Sequence, residues 1–243
     1  MKMYKKVMAA ALAGVMTVSM SATAFAADDD GYILKATNED SKSSDNDLVI
    51  AIEGSVSSMD PANIPDTNAI SATRGVYETL VSFDENQELT GKLAESWEVS
   101  DDSLTYTFKL RQGVKFQDGT DFNAAAVKAN YDRVVNKDNN LRQRRTFIVT
   151  NEDGSETPRV DSIETPDDYT LVIKLTQAWA PFINRLTQFC IISPAALEEY
   201  GNDIMNHPCG TGPYVCTEWE EGDHTSFERN DDYWGDTPGV LTL

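Results

Sequence analysis

Alternating apolar and polar residues mark positions 104–110 as a half-buried β-strand, because successive side chains of a strand point to opposite faces. The apolar positions are Leu104, Tyr106, Phe108 and Leu110. Val114 and Phe116 predict the start of a second strand, and Asp118 with Gly119 forms a turn signal after it. This part of the chain therefore predicts a small antiparallel unit.

The same patterns predict further helices and strands on both sides of this unit. Asn123 has the side chain of a helix N-cap, and Ala124, Val127 and Tyr131 are spaced to form the apolar face of one helix. The other predicted elements are a buried strand at 48–52, helices at 67–80, 181–188 and 194–200, and hairpins at 160–175 and 214–228. The mixture predicts an α/β fold.

The first 26 residues predict a secretory signal peptide. Lys2, Lys5 and Lys6 precede a short apolar run at 7–18, and an Ala-Phe-Ala site ends at Ala26. Residues 27–45 are acidic and Ser-rich, so we expect a disordered leader. The expected location is the periplasm, without a lipid anchor, because the first cysteine of the chain is Cys190.

The net charge of the chain is −20, and removal of the three signal lysines would take it to −23. Such a charge disfavours nucleic acid and anionic lipid as partners and favours solubility. The three cysteines are consistent with one disulfide and one free thiol in an oxidising compartment, or with a disulfide partner outside this sequence. The side chains able to bind a metal are His207, Cys209, Cys216 and His224. They lack close metal-ligand spacing, so no metal site and no cofactor are predicted.

Paired carboxylates occur in three places, but their context is that of turns. The pairs are 101–102, 167–168 and 231–232. Asp commonly bends and caps the backbone at such positions, and the chain has no Gly-x-Ser-x-Gly motif. No catalytic residue is predicted. A secreted hydrolase and a chaperone-like binder of unfolded chains are nevertheless two alternative functions for this sequence.

A series of short motifs in a fixed order carries a resemblance to a known family. They are MDP at 59–61, VYETLV at 76–81, WEVSDD at 97–102, LRQGVKFQDG at 110–119, FNA at 122–124, APF at 180–182, GTGPY at 210–214 and RNDDYWG at 229–235. The order resembles that of the bacterial extracellular solute-binding proteins of the peptide/nickel type, family 5. The resemblance covers almost all of residues 46–243.

The resemblance implies a periplasmic-binding-protein fold of type II, in which two α/β lobes close on a ligand. It implies that this chain supplies the large lobe, with a discontinuous domain I at 46–75 and 210–243 and an inserted domain II at 76–209. The second lobe is expected beyond Leu243, since the sequence stops on an apolar run at 240–243. The chain is therefore interpreted as an N-terminal fragment.

The resemblance also implies a function in uptake rather than catalysis. The expected role is the substrate-binding component of an ABC importer that captures small peptides or peptide-like solutes and docks on the permease subunits as a monomer. Nickel chelates, glutathione, opines and oligosaccharides are alternatives within the family.

The candidate ligand-binding residues follow the first predicted strand, where loops line the clefts of α/β sheets. They are Glu53, Gly54, Ser55, Ser57 and Ser58. Glu53 is suited to pair with a ligand amine or with Arg74, glycine permits close approach to the backbone, and serine supplies hydroxyl groups. An ordinary turn is the alternative for the set. Gln188 and Phe189 are assigned to core or hinge packing, with the border of the cleft as the alternative.

Overall fold

The computed structural model describes residues 48–236 and residue 238. The signal peptide (1–26), the leader (27–45) and the apolar run at 240–243 lie outside the described residues. The helices are α1 (Thr67–Thr73), α2 (Ala124–Val135), α3 (Arg144–Phe147), α4 (Phe182–Leu186) and α5 (Pro194–Tyr200), with short 3₁₀ segments at Pro61–Asn63, Lys137–Asn139 and Gly201–Asn206. Within the described part of the chain, none of the helices is both long and apolar enough to span a bilayer.

The strands are mostly short and antiparallel. They are β1 (Glu78–Thr79), β2 (Val81–Phe83), β3 (Leu89–Gly91), β4 (Ala94–Val99), β5 (Thr105–Leu110), β6 (Ile148–Thr150), β7 (Glu156–Pro158), β8 (Val160–Asp167), β9 (Thr170–Leu175), β10 (Cys190–Ile191), β11 (Tyr214–Glu220) and β12 (His224–Arg229). The pairs β1–β10, β2–β3, β6–β7 and β11–β12 are two-stranded.

The largest sheet has the strand order β4-β5-β9-β8 and confirms the alternation in the sequence. Its central strands bury Tyr106, Phe108, Leu110, Leu171, Ile173 and Leu175. Phe108 lies opposite Leu171 on β9 and opposite Trp97 on β4, so large side chains meet across both strand pairs. Burial of each such side chain contributes roughly 1.5–3 kcal/mol, and this face therefore anchors the sheet in the core.

Helix α2 begins where the sequence predicts. The Asn123 Oδ1 atom accepts a hydrogen bond from the Ala126 amide at 2.9 Å, which satisfies one of the free N–H groups of the first turn. Asn130, which is 2% exposed, lies on the buried side of the helix. Its side-chain amide donates to the Ile192 carbonyl at 2.7 Å, and its Oδ1 accepts from the Ile192 N–H at 3.0 Å. The helix is thereby joined to the chain that follows β10.

Three of the predicted elements are wrong in the structure. Residues 48–52 form no strand and Val49 is 93% exposed, because no described residue pairs with this run. The predicted 67–80 helix ends at Thr73, just before Gly75, and the chain continues into β1, which pairs with β10. Val114 and Phe116 are buried, but they lie in a loop with a single bridge between Lys115 and Asp121.

The glycine loop at 210–212 lies close against the backbone of residues 75 and 76. A Cβ atom on Gly210 would lie 2.1 Å from the Val76 carbonyl oxygen, and one on Gly212 would lie 2.5 Å from the Gly75 carbonyl oxygen. The Gly212 amide donates to the Val76 carbonyl at 2.9 Å. Only glycine permits this approach, so the loop fixes the start of the β11–β12 hairpin against the segment that follows α1.

Candidate functional site

The predicted ligand-binding loop contains an exposed part at Glu53, Gly54 and Ser55. All three residues are exposed, and Gly54 has a φ angle of +93°, which favours glycine. The Asn68 side chain donates to the Glu53 carbonyl at 2.7 Å and so ties this turn to the first turn of α1. The arrangement leaves the Glu53 carboxylate and the Ser55 hydroxyl on the surface.

Ser57 and Ser58 have a different environment from the exposed part of the loop. The Ser57 hydroxyl donates a short hydrogen bond to the carboxylate of Asp66, which also caps α1 by accepting from the Ala69 amide at 2.9 Å. The hydrogen bond from Ser57 is the largest of the effects that lower the pKa of Asp66. Ser58 is 5% exposed, and its hydroxyl oxygen accepts from the Asp60 amide at 3.1 Å. These two hydroxyl groups therefore hold the loop in shape.

A buried ion pair anchors the same loop to α2. The guanidinium of Arg133 binds the Asp60 carboxylate with two contacts, at 2.7 and 3.2 Å, and the two side chains are 10% and 8% exposed. Asp60 also accepts from the Ala62 amide at 3.0 Å and so caps the Pro61–Asn63 segment. The Asp-Pro pair signals this cap in the sequence, but nothing local identifies Arg133 as its partner.

A third set of contacts to the loop comes from Gln143. The Gln143 amide donates to the Ala62 carbonyl at 3.0 Å, and its side chain donates to the Gln188 carbonyl at 2.7 Å. Gln188 is exposed, whereas Phe189 is buried and packs edge-on against Phe147 at 5.3 Å. The expected core packing is therefore confirmed for Phe189 but wrong for Gln188, which is exposed at the surface beside the loop.

The β11–β12 hairpin supports the loop from the side of the chain that follows position 210. The indole N–H of Trp219 donates to the Val56 carbonyl at 2.9 Å. The Trp219 ring is partly buried against the core, so this side chain also anchors the packing of the hairpin. The loop is thus held by α1, α2, the 143 region and this hairpin.

A buried carboxylate at Glu78 joins the segment at 230–235 to the core. Its Oε2 atom accepts from the Thr211 hydroxyl at 2.9 Å and from the Trp234 indole at 2.7 Å. Its Oε1 atom accepts from the Tyr233 hydroxyl at 2.7 Å and lies 3.1 Å from the Lys92 ammonium group. Burial, reinforced by the Glu78 charge, raises the pKa of Tyr233. Glu78 therefore acts as a structural centre that the sequence does not reveal.

The cysteines do not form the disulfide that the sequence allows. Cys190, Cys209 and Cys216 all lie within the described residues and are free thiols, located on β10, before the glycine loop and on β11. Burial raises the pKa of Cys190 and Cys209 to about 12 and that of Cys216 to about 11. Burial therefore disfavours the thiolate form of these side chains, which is the nucleophilic form.

The turn-forming role predicted for the paired carboxylates is confirmed at two of them. The Asp102 carboxylate accepts from the Leu104 amide at 3.0 Å, and the Asp167 carboxylate accepts from the Tyr169 amide at 2.9 Å. Both side chains therefore stabilise the hairpin turns in which they lie.

The two histidines lie at the surface with acidic neighbours. His207 stacks on Tyr200 with ring centroids 3.9 Å apart and lies 3.4 Å from Asp203. His224 lies between Asp223 and Glu218, and hydrogen bonds from its ring N–H groups to these two carboxylates raise its pKa. Glu220, Asp223 and His224 place their possible ligand atoms within 4.8 Å of one another.

Comparison with known proteins places this architecture in a defined class. Residues 88–241 match the model of the bacterial extracellular solute-binding proteins, family 5, middle region. The fold is that of periplasmic binding proteins of type II, as predicted. The chain belongs to the family 5 bacterial extracellular solute-binding proteins.

Curated relatives and solved structures extend this result. The chain is 38% identical over 232 residues to the glutathione-binding protein GsiB of Escherichia coli O157:H7, covering 95% of this chain and 40% of the relative. It resembles NikZ of Campylobacter jejuni, solved with Ni(L-His), with a TM-score of 0.71 and 27% identity over 82% of this chain and 38% of that one. For DppA of Helicobacter pylori, solved with the peptide STSA, the TM-score is 0.63 and the identity 30%, over 78% and 40% of the two chains. The chain thus spans about two fifths of the length of these proteins.

Proposed function

We propose that this chain belongs to the substrate-binding component of an ABC importer that captures small peptides or peptide-like solutes. The observation that carries the proposal is the 38% identity, over 95% of the chain, to a protein named for binding glutathione. Glutathione is itself a tripeptide, so it is the first ligand to test. The acting protein is a monomer outside the cytoplasmic membrane that delivers its ligand to permease subunits and catalyses no reaction.

The domain division at 46–75, 76–209 and 210–243 remains part of this proposal. One contact supports it, and a second joins the two proposed domains. The Trp219 indole binds the Val56 carbonyl at 2.9 Å and so joins the two stretches assigned to domain I. The ion pair between Asp60 and Arg133 joins domain I to the inserted domain II at 2.7 Å. A lobe stiffened by such contacts presents its loop in a fixed shape, which lowers the entropy lost on binding.

The exposed part of the candidate loop is the proposed contact region for the ligand. The Glu53 carboxylate is suited to a ligand ammonium group, the Gly54 backbone permits close approach, and the Ser55 hydroxyl can donate or accept. Ser57 and Ser58 contribute by shaping the loop, because their hydroxyl groups are already used by Asp66 and Asp60.

The ligand class is tested by titration calorimetry of the full-length protein with glutathione, a dipeptide, a tetrapeptide and Ni(L-His). We expect one site per chain for at least one of the peptides, with glutathione bound most tightly. Binding of Ni(L-His) alone would replace the peptide assignment with the chelate alternative. Multiple turnover of a peptide, followed by chromatography, would instead establish the hydrolase alternative.

The contact region is tested with variants that leave the core intact. Glu53→Gln removes a charge-assisted hydrogen bond worth about 1.5–3 kcal/mol, so Kd should rise roughly 10- to 150-fold. Ser55→Ala removes a neutral hydrogen bond of about 1 kcal/mol, so Kd should rise about 5-fold. Glu95→Gln and Ser96→Ala, at exposed positions on β4, are matched controls and should leave Kd unchanged. Equal effects in both pairs would contradict the assignment of the loop.

A further inference from the structure

The tip of the β11–β12 hairpin brings metal-binding side chains together by its register. Glu220 on β11 lies directly opposite His224 on β12. Glu218 is two residues before Glu220 on the same strand, so it lies on the same face, because side chains alternate along a strand. Asp223 adds a carboxylate from the turn, where Gly222 has a φ angle of +85°. An imidazole is therefore surrounded by three carboxylates.

The distances within this group suit a small ion. The His224 Nδ1 atom lies 3.0 Å from the Asp223 Oδ2 atom, and its Nε2 atom lies 3.2 Å from the Glu218 Oε2 atom. Possible ligand atoms of Glu220, Asp223 and His224 all lie within 4.8 Å of one another. A tetrahedral zinc ion about 2.0–2.2 Å from each ligand holds the ligand atoms about 3.5 Å from one another. Exposed side chains close the remaining difference of about 1 Å by rotating about their side-chain bonds.

We propose that His224, Glu220 and Asp223, with Glu218 beside them, bind a divalent first-row transition-metal ion of the Zn²⁺ type. The imidazole distinguishes this group from an ordinary acidic patch, because Ca²⁺ and Mg²⁺ take oxygen ligands whereas Zn²⁺ accepts imidazole together with carboxylate. A divalent ion also offsets the repulsion among three carboxylates that lie close together.

The proposed metal site is separate from the loop assigned to the ligand. Trp219, whose indole binds the Val56 carbonyl, lies between Glu218 and Glu220 in the strand, and strand alternation directs it to the opposite face. One face of the hairpin thus supports the loop and the other carries the metal-binding side chains. Failure of either proposal therefore leaves the other intact.

The test is calorimetric titration of the metal-free full-length protein with Zn²⁺ and, separately, with Ca²⁺. We expect one Zn²⁺ per chain at this site and at least 10-fold weaker binding of Ca²⁺. His224→Ala and Glu220→Gln should each weaken Zn²⁺ binding at least 10-fold. The chain contains two histidines, so His207→Ala is the matched control and should leave Zn²⁺ binding unchanged.

Clear outcomes would overturn the proposal. These are the absence of Zn²⁺ binding in the parent protein, an unchanged Zn²⁺ affinity in the Glu220→Gln and His224→Ala variants, an equal loss in His207→Ala, or Ca²⁺ binding as tight as that of Zn²⁺. Because the four side chains are exposed, the variants are expected to fold, and unchanged urea unfolding curves would verify this.

Discussion

Replacement of Glu78 by Gln tests whether this buried carboxylate holds the segment at 230–235 on the core. The side chain is 4% exposed, and its two oxygens receive hydrogen bonds from Thr211, Tyr233 and Trp234 together with an ion pair from Lys92. An amide keeps the size of the side chain but has one acceptor oxygen. In either orientation its NH₂ group faces at least one donor, the Trp234 indole or the Lys92 ammonium group.

The expected loss of stability follows from these contacts. Removal of one partner of a buried ion pair costs about 3–5 kcal/mol, and a buried donor without an acceptor costs about 1–3 kcal/mol. Lys92 is 37% exposed and can regain water, which reduces the first value. Glu78→Gln should therefore lower the free energy of unfolding by about 3 kcal/mol.

Urea unfolding of the full-length protein, followed by tryptophan fluorescence, measures this loss. The matched control is Glu164→Gln, which removes the carboxylate of the exposed pair between Lys174 and Glu164, whose side chains are 45% and 52% exposed. Such surface pairs contribute about 1 kcal/mol or less. If Glu78→Gln destabilised the protein no more than Glu164→Gln does, the assignment of Glu78 as a structural centre would be refuted.

Three further outcomes are expected. Arg133→Met should lower the free energy of unfolding by about 3 kcal/mol, because it leaves the Asp60 carboxylate buried and unpaired; in urea unfolding, a loss below about 1 kcal/mol would contradict this. Gly212→Ala should cost about 3 kcal/mol, since its Cβ would lie 2.5 Å from a backbone carbonyl oxygen, and a neutral result in the same assay would disprove the close approach. Burial alone would raise the pKa of Asp118, but hydrogen bonds from Ser193 and other groups lower it overall. The contribution of the Asp118 carboxylate to the free energy of unfolding is therefore complete above the ordinary Asp pKa and is lost as the pH falls through the lower folded-state value. In unfolding measurements from pH 7 to pH 2, the Asp118→Asn variant should lose less stability in acid than the parent protein does. An identical pH profile for the two proteins would contradict this stabilising role of Asp118.

The elements predicted correctly are those whose signals lie within a few residues. The alternation of β5, the Asn123 cap of α2 and the helix at 194–200 all appear where the sequence places them. Each depends on a side chain and the backbone next to it, so the local sequence is sufficient. The wrong predictions at 48–52 and 67–80 share a cause, because each was based on an apolar pattern that does not by itself fix the extent of a strand or a helix. One run lacks a strand partner among the described residues, and the other is interrupted near Gly75.

Ordered motifs and local patterns were sufficient to predict the class of fold and the family, and they indicated the loop where ligand contacts are proposed. The tertiary structure was needed to show that Glu53 and Ser55 remain exposed while the hydroxyl groups of Ser57 and Ser58 are used internally. It also identified the partners of Asp60 and Glu78, which lie 73 and up to 156 positions away along the chain. Hydrogen bonds and ion pairs over such separations depend on how the elements pack, and no local pattern records that packing.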